Sequence, residues 1–431
     1  MTRTILFTLI IAYISAFPLS AKVINVNSIP ALQEAIKSSL PGDRIILSNG
    51  IYTTSESIVI KNTGTSVNKI TIEAQTIGGV EITGSYGFMI SAPASYIIIK
   101  GFKFTHNTGT NSISSGVSHC IITNNIFECA PVNSGTKPYL SVSGDDNEIS
   151  WNTFQNKKDE GQMLSIQGTG GDKMAKRVWI HHNYFHDFPP PGKNNCSAIQ
   201  IGMSGRSMDS AFCVVEYNLF IRTEGENEGA ICHKSCNNII RFNTFGERSE
   251  ELSLRHGNNS QVYGNFFINT TGLRFSGDDH FIYNNYFIGC SKAIVCTNGD
   301  GEVEEGSKLT CHDRPDRVTI EYNTIIDCKS SFQMPARKDG LGATKITFAN
   351  NSIRGGEPAS IQGGYPDAVW QGNRLWNISG GDMPATGYKL SEITDSQPYF
   401  FKTPDGKGYS SIPETNRPLT ISDVGHDVTL K

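Results

Sequence analysis

After its first 21 residues, the sequence lacks any apolar run close to the roughly 18 residues that a membrane-spanning helix needs. No cysteine precedes Cys120, so an N-terminal lipoprotein anchor is not expected from this sequence. The N-terminus itself has one positive charge, an apolar run over residues 5–17 and the small-residue ending of residues 19–21. This layout is typical of a cleavable secretory signal over residues 1–21, so we expect a protein that is secreted or periplasmic after cleavage near Ala21.

The sequence also lacks an excess of positive charge, because 37 lysines and arginines stand against 41 aspartates and glutamates, for a net charge of −4. An acidic substrate would therefore have to be met by a local basic patch rather than by the overall field. The ten cysteines lack the spacing of a zinc framework. They are predicted to be thiols packed in a hydrophobic core.

Helical periodicity is almost absent after residue 40, and short alternating strand patterns such as residues 178–182 and 281–284 take its place. Most of these patterns end in a unit of asparagine, any residue, and an aromatic or aliphatic residue. The asparagines of this unit are Asn125, Asn152, Asn183, Asn218, Asn243, Asn265, Asn285, Asn323, Asn351 and Asn373. Their shortest steps, 20 to 22 residues, define one coil, and longer steps define coils with inserted loops.

This repeat predicts an all-β, single-domain right-handed parallel β-helix, in which each lap adds one coil to a solenoid. We expect the asparagine at each corner to adopt the left-handed backbone conformation and to bond the asparagine of the next coil. The aromatic or aliphatic residue that follows should turn into the core. The alternative is a β-sandwich with asparagine-rich turns, which would not keep one unit in phase over so many laps.

The two ends of the chain depart from the repeat. Residues 29–36 have apolar side chains at helical spacing, so we expect an amphipathic helix that caps the open N-terminal end. Residues 22–378 are predicted to form the β-helix domain that carries the site. The unit stops after about residue 378, and residues 379–431 are predicted to form a loop-rich tail or cap.

Three cations fall on consecutive coils in the most tightly spaced part of the chain. Lys234, Arg255 and Arg274 are 21 and 19 residues apart, about one coil each. Because strand alternation aims them outward, we expect them to lie nearly above one another as a strip of about 10 Å. The alternative is a solvated row of unrelated surface charges.

A cationic column of this kind suits an acidic sugar polymer. Repulsion within the column favours the neutral form of a lysine, as a general base requires, whereas arginine keeps its charge and suits carboxylate binding. Glu226 and Glu228 share the outward parity of Lys234. They are expected either to pair with the cations or, with a further oxygen ligand, to hold Ca²⁺.

Two motifs, His233-Lys234-Ser235 and Leu254-Arg255-His256-Gly257, make the chain resemble polysaccharide lyase family 6, the group of alginate lyases and the dermatan-cleaving chondroitinase B. The resemblance covers most of the chain up to Tyr286. It implies cleavage by β-elimination, in which Lys234 abstracts the C5 proton of a uronate and Arg255 serves as the acid toward the leaving glycosidic oxygen.

The same resemblance implies a calcium ion, held by Asn194, Glu226 and Glu228, that neutralises the uronate carboxylate in the transition state. Glu228 and Glu226 lie 6 and 8 residues before Lys234, one residue more than in the family's pattern, so an extra residue such as a bulge is required. The alternative is a protein without a metal cofactor. Arg274, His256 or an ordered water would then take over part of the role of calcium.

Other polar residues are candidates for contacts with the substrate, although a lone histidine is more often a structural residue. The substrate-binding candidates are Arg274, His256, His233 and His280. Alginate is the favoured substrate and dermatan sulfate the alternative, mostly because alginate lyases prevail in the family that the chain resembles, and also because no additional arginine clusters for sulfates are evident. The loops at residues 157–175 and 296–315 are expected to set block preference and product length.

Two other function classes stay open. A β-helix glycoside hydrolase would use a pair of carboxylates such as Asp278 with Asp279, or Asp145 with Asp146. A non-catalytic glycan-binding module would need the basic strip but not Lys234 in particular. In each case the expected partner is an acidic polysaccharide, with no nucleic acid and no membrane, and the oligomeric state is left open.

Overall fold

The computed structural model consists mainly of strands, and the chain climbs through the same three sheet positions lap after lap. The described residues are 21–131, 137–171, 173–189, 196–224, 228–304, 307–335, 342–356, 361–362, 367–393 and 415–426. The architecture is a parallel β-helix, as the repeat predicted. Residues 1–20, which hold nearly all of the predicted signal, lie outside the described residues.

Three long parallel sheets, here called sheets 1, 2 and 3 in the order in which each lap visits them, contain nearly all of the described strands. Sheet 1 consists of Val23–Val26, Arg44–Leu47, Ile70–Ala74, Ile97–Lys100, Ile121–Thr123, Glu148–Ser150, Trp179–His181, Val214–Glu216, Ile239–Arg241, Gln261–Tyr263, Phe281–Tyr283, Thr319–Glu321, Thr347–Ala349 and Val369–Gln371. Sheet 2 consists of Gly50–Thr54, Val80–Gly84, Phe102–Phe104, Ile126–Phe127, Thr153–Gln155, Tyr184–Phe188, Leu219–Thr223, Thr244–Gly246, Phe266–Ile268, Tyr286–Ile288, Thr324–Ile326, Ser352–Arg354, Asn373–Trp376 and Tyr388–Leu390.

Sheet 3 is the sheet that carries the candidate site. It consists of Ile58–Ile60, Phe88–Ile90, Asn111–Ile113, Leu140–Val142, Gln162–Ile166, Ser197–Ile201, Ile231–Lys234, Leu252–His256, Leu273–Phe275, Ile294–Cys296, Phe332–Gln333 and Ile361–Gln362. A short antiparallel pair, Gly168–Gly170 with Lys173–Met174, and two single-turn 3₁₀ helices, Ser204–Arg206 and Ala385–Gly387, lie in the connections. The long loops that follow sheet 3 therefore gather along one edge of the solenoid.

The repeated asparagines form a buried ladder along the turn between sheets 1 and 2. From Asn125 to Asn351, each side-chain amide donates to the side-chain oxygen of the asparagine one coil further on, at 3.0–3.1 Å, and Asn373 is the last acceptor. The same oxygen also accepts a backbone N–H of the preceding coil. Buried amides satisfied in this way hold adjacent coils in one register. The predicted pairing between coils is confirmed.

The left-handed corner residue is not the ladder asparagine, so that part of the prediction is wrong. Positive φ angles of 52–67° occur instead at the residue just before each ladder asparagine. These residues are Asn124, Trp151, His182, Tyr217, Phe242, Gly264, Asn284, Tyr322, Asn350 and Gly372. The ladder asparagine has to point its side-chain amide inward along the ladder. The bend between sheets 1 and 2 therefore falls on the residue before it.

The residue two places after each ladder asparagine faces the core. Phenylalanines stack coil on coil from Phe127 to Phe287, with ring centroids 4.6–5.0 Å apart and nearly parallel planes. The spacing equals that of neighbouring strands, about 4.8 Å, so one ring per coil fills the interior without gaps. Each buried ring contributes about 1.5–3 kcal/mol through removal of apolar surface from water.

The N-terminal helix Ile29–Ser38 is present where the sequence predicted it. Ser28 caps its first turn by accepting a hydrogen bond from Ala31 N at 3.3 Å. Leu32, Ala35 and Ile36 are buried against the first coil. The helix therefore closes the apolar end of the stack, as a terminal cap must.

The described residues after 378 partly extend the solenoid and partly run back along it. Tyr388–Leu390 pairs in parallel with Asn373–Trp376. The segment 415–426 lies along earlier coils, where Asn416 Nδ2 donates to Gly264 O at 3.0 Å. The boundary at 378 stays a prediction.

The cysteines are thiols, and all but Cys311 are buried, so the prediction of core thiols is confirmed. Within the part of the chain that the structure describes, no helix has the length and hydrophobicity needed to cross a bilayer.

Candidate active site

Sheet 3 places the predicted cations on three neighbouring strands. Lys234 ends Ile231–Lys234, Arg255 belongs to Leu252–His256, and Arg274 belongs to Leu273–Phe275. The register shifts between the first two strands, so that Lys234 faces His256 and Arg255 is the extra residue of a bulge. A bulge re-aims the side chains beside it, and these two side chains meet at one carboxylate.

Arg274 stands apart from this pair. It aligns with Ser253, two residues before Arg255 on the neighbouring strand, which is a displacement of about 7 Å along the strand. The predicted single column of three cations is therefore wrong for Arg274. The register follows the 21-residue step from Leu252 to Leu273 rather than the 19-residue step between the two arginines.

Glu228 joins the candidate base and the candidate acid. Its carboxylate oxygens lie 3.0 and 3.2 Å from Lys234 Nζ, and Lys234 and Glu228 are only 6% and 4% exposed. Arg255 lies farther out, with one guanidinium nitrogen 3.9 Å from the same carboxylate. Of the two roles predicted for this glutamate, the structure has it in the ion pair.

The electrostatics of Glu228 follow from these contacts. Burial by itself raises the pKa of a carboxyl group, but hydrogen bonds from Cys232 and Lys234 together with the charge of Arg255 hold the pKa of Glu228 below its usual value. The carboxylate is thus ionised and shields the two cations from each other. The backbone of Lys234 is also closely packed. A Cβ added to Gly202 on the preceding coil would lie only 2.0 Å from Lys234 O, so this position requires glycine.

A cleft of about 500 Å³ opens in front of Arg255 and Arg274. Its lining includes Arg255, Arg274, Ser276, Asn298, Asp300 and His312. Arg274 is held by Glu251, whose carboxylate accepts from Nε at 2.8 Å, and by Ser253 Oγ at 3.1 Å. Two arginines at the wall of an open cleft are suited to bind planar carboxylates.

Sequence reasoning missed His312 and Asp300. His312 Nδ1 lies 2.6 Å from Asp300 Oδ2, and the His312 ring lies 4.8 Å from the ring of His256, which places this pair in the cleft. Only the length of the 296–315 loop pointed to it, since that loop was expected to shape the products. A strand repeat carries no information on where an inserted loop folds back.

His256 is the predicted histidine nearest to the cleft. It is 4% exposed, and burial, followed by the charges of His312, Lys234 and Arg255, lowers the pKa of His256 to about 3. It is neutral near pH 7 and packs behind the cleft wall.

His233 and His280 lie in the interior of the solenoid. Both are 0% exposed, His233 Nε2 bonds the amide of Asn238 at 2.8 Å, and His280 Nε2 lies 2.9 Å from Ser276 O. Neither ring reaches the cleft, and both stabilise the turns after sheet 3.

The predicted calcium ligands are described only in part. Asn194 and Glu226 lie outside the described residues, and the third, Glu228, is bound to Lys234. In the described part of the chain, no cluster of three or more histidine, cysteine, aspartate or glutamate side chains could hold a metal. Glu228 is already paired with Lys234 at 3.0 Å, and no catalytic step is assigned to a metal.

The carboxylate pairs considered for a hydrolase are engaged by arginines. Asp278 and Asp279 accept from Arg317 at 3.1 and 2.8 Å, and Asp146 accepts from Arg177 at 2.6 Å. None of them lines the cleft. Their surroundings are those of structural ion pairs on the turn before sheet 1.

The family model described as chondroitinase B matches residues 26–361. The solved structure of the PL6 family alginate lyase AlyGC is similar, with a TM-score of 0.78, 24% identity, and coverage of 94% of this chain and 58% of that chain. The chain thus spans little more than half the length of AlyGC. None of the curated proteins compared with the chain matches it.

Two other solved structures are similar over nearly their whole length. A mannuronic acid specific polysaccharide family 6 lyase from human gut microbiota has a TM-score of 0.75 and 24% identity, covering 86% of this chain and 91% of that chain. The PL6 polysaccharide lyase Pedsa3628 from Pseudopedobacter saltans has a TM-score of 0.72 and 20% identity, covering 93% and 98%. At such identities the likeness establishes the parallel β-helix fold.

Proposed function

We propose that this chain, which belongs to polysaccharide lyase family 6, the family of the chondroitinase B model, depolymerises alginate by β-elimination. The observation that carries the proposal is the convergence of Lys234 and Arg255 on Glu228 at the edge of a cleft lined by two arginines. A base, an acid and carboxylate-binding groups then occur within three adjacent coils of sheet 3.

In this mechanism Lys234 Nζ, in its neutral form, removes the proton from C5 of a uronate. The electron pair forms the C4–C5 double bond as the bond from C4 to the glycosidic oxygen breaks. Arg255 donates a proton to that leaving oxygen. Glu228 orients Lys234 and, being ionised, also stabilises the ammonium that forms.

The C5 proton is weakly acidic while the neighbouring carboxylate carries its full charge, so that charge has to be neutralised as the enolate-like transition state forms. Arg274, fixed by Glu251 and Ser253 at the cleft wall, is positioned to bind this carboxylate. Calcium remains the alternative for this role, and a chelator added to the assay tests it.

Dermatan sulfate is the second candidate substrate, and the match to the chondroitinase B model favours it. Alginate is preferred because the cleft lining includes two arginines, enough for uronate carboxylates but without additional arginines for sulfates. The same β-elimination chemistry applies to both polymers.

The test is incubation of the purified protein with alginate, its mannuronate and guluronate blocks, dermatan sulfate and pectate, each with and without a chelator. Lyase action leaves an unsaturated sugar that absorbs in the ultraviolet, whereas a hydrolase leaves none. We expect absorbance to rise with alginate. No rise with alginate but a rise with dermatan sulfate would transfer the proposal to the second substrate.

Lys234 is tested by two variants. Lys234→Ala should abolish turnover while substrate binding is largely retained. Lys234→Arg keeps a cation beside the buried Glu228 but supplies no base near neutral pH, so we expect a folded and inactive protein. Measurable turnover by either variant would contradict the assignment of Lys234 as the base.

A further inference from the structure

Two cysteines occupy the same position on adjacent coils, at the corner that leads from sheet 2 to sheet 3. Cys290 lies two residues after Tyr286–Ile288, and Cys328 lies two residues after Thr324–Ile326. These strands pair in parallel, residue for residue, to their ends. Beyond them Lys329 N donates to Cys290 O at 2.9 Å, so the pairing continues through the two cysteines. Cys290 and Cys328 are therefore stacked one coil apart.

The geometry of this pair suits a covalent link. Each thiol donates to the carbonyl two residues before it, Cys290 Sγ to Ile288 O at 3.7 Å and Cys328 Sγ to Ile326 O at 3.4 Å, so both side chains point the same way. The two thiols are also in hydrogen-bond contact with each other. Neighbouring strands place Cα atoms about 4.8 Å apart, inside the range of about 4.4–6.8 Å that a disulfide spans.

The preceding rungs of the same corner hold hydroxyl groups. Thr223 Oγ1 donates to Ser249 Oγ at 3.1 Å, and Thr270 Oγ1 lies 3.7 Å from Cys290 Sγ. Small polar side chains thus satisfy one another from coil to coil, and two thiols can serve the same packing purpose without reacting. Of these rungs, the pair Cys290 and Cys328 places two sulfurs in succession, and two sulfurs can also be joined by a bond.

The contact makes the two thiols chemically unequal. The hydrogen bond with Cys328 lowers the pKa of the Cys290 thiol, whereas the hydrogen bond with Cys290, followed by burial, raises the pKa of Cys328. Because the thiolate is the form that attacks a disulfide, Cys290 is the sulfur that reacts first.

We propose that Cys290 and Cys328 form a disulfide when the chain folds in the presence of a disulfide donor, either a thiol oxidoreductase in its disulfide form or glutathione disulfide. The Cys290 thiolate attacks one donor sulfur, which gives a mixed disulfide and releases the other donor sulfur as a thiolate. Cys328, after losing its proton, attacks the Cys290 sulfur and releases the second donor thiol. Two cysteine thiols are thereby oxidised and the donor disulfide is reduced to two thiols.

Burial sets the time at which this exchange takes place. Both side chains are 0% exposed in the folded protein. The exchange therefore precedes the closing of these coils, and the finished bond is shielded from reductants.

The link encloses the coil that carries the cleft loop. The two cysteines are 38 residues apart, and the segment between them contains Ile294–Cys296 and the loop that brings Asp300 and His312 to the cleft. A cross-link closes this segment into a loop in the unfolded chain and so lowers the entropy that folding has to overcome. The inference does not depend on the proposed lyase chemistry.

Peptide mapping tests the link directly. The protein is folded in a glutathione redox buffer, alkylated without prior reduction, and digested with trypsin. Cys290 is the only cysteine of the tryptic peptide 275–292, and Cys328 is the only cysteine of the peptide 318–329. We expect one linked species, lighter than the two peptides together by two hydrogens, that separates on reduction. Separate recovery of both peptides in alkylated form would overturn the inference, and so would a link from Cys290 to another cysteine.

Thermal unfolding tests the effect of the link on stability. Closing a loop of 38 residues in a chain of this size should raise Tm by about 4 °C, so protein folded with glutathione disulfide should melt that far above protein folded with a reductant. Cys290→Ser/Cys328→Ser keeps small polar rungs and should abolish the difference. The matched control is Cys213→Ser, because Cys213 is also 0% exposed and its Sγ lies 4.0 and 3.8 Å from two backbone carbonyls. The control should keep the difference, and a difference that persists in the double variant would contradict the assignment.

Discussion

Replacing Glu228 by glutamine removes a negative charge from beside Lys234 and keeps the shape of the side chain. The carboxylate lies 3.0 and 3.2 Å from Lys234 Nζ, and both residues are at most 6% exposed. Truncating one partner of such a buried pair costs about 3–5 kcal/mol if the other partner stays charged. In the variant this cost falls only on the charged form of Lys234, because a neutral amine needs no counter-charge.

We therefore expect the acidic limb of the pH profile of kcat/KM to move to lower pH in Glu228→Gln, by about two units for about 3 kcal/mol. Glu247→Gln is the matched control, because Glu247 is 64% exposed and pairs with Arg222 on sheet 2. Its profile should coincide with that of the wild type. An unmoved limb together with activity that returns on addition of calcium would refute the ion-pair reasoning and make Glu228 a metal ligand.

The same variant also tests the ion pair through the stability of the protein, independently of its activity. The pKa of Glu228 is lowered in the folded protein, so its contribution to stability is present above the usual carboxyl pKa and is lost as the pH falls through the folded value. Denaturant unfolding should show the largest difference between wild type and Glu228→Gln near neutral pH. The difference should shrink below about pH 4.5, the usual value for a glutamate.

Two further predictions concern the framework. Asn243→Ala removes the acceptor of Asn218 N and Asn218 Nδ2, two buried donors, so we expect the free energy of unfolding in urea to fall by about 3 kcal/mol; a loss below about 1 kcal/mol would contradict the role of the ladder. Among the histidines whose pKa is lowered by burial, the four that are at most 4% exposed reach about 3 or 4: His106, His233, His256 and His280. As the pH falls, these histidines bind protons in the unfolded chain before they do in the folded protein, so the free energy of unfolding is highest above about pH 6.5. It should fall by about 2 kcal/mol per histidine by pH 5. A free energy of unfolding that does not change between pH 7 and 5 would refute this.

The fold was predictable because one physical unit repeats. An asparagine that satisfies the backbone of the coil before it, followed by an aromatic side chain in the core, leaves a signal at every lap of the sequence. The detail of the corner was not predictable in the same way. Trp151, His182 and Tyr217 stack on one another from coil to coil at 4.3 and 5.1 Å, but no pattern in the sequence marks them as the residues that take the left-handed conformation.

The candidate site was predictable only as far as strand positions decide it. Lys234 and Arg255 were found from their spacing and their motifs, but the convergence on Glu228 depends on a bulge that a residue count does not show. Arg274 was predicted in line with Arg255, two residues from its true position along the strand, because the count included turn residues. Asp300 and His312 come from an inserted loop, whose path is set by tertiary contacts rather than by the repeat.

The asparagine ladder has a consequence for how such a protein changes over evolutionary time. Since each coil takes its register from its neighbours alone, a connection after sheet 3 lengthens without displacing the strands on either side. The strands and the loops that follow sheet 3 are then under separate evolutionary constraints: the strands change slowly, whereas the loops are free to vary. Catalytic residues on the strands can stay the same while changes in the surrounding loops alter the length and the selectivity of the groove.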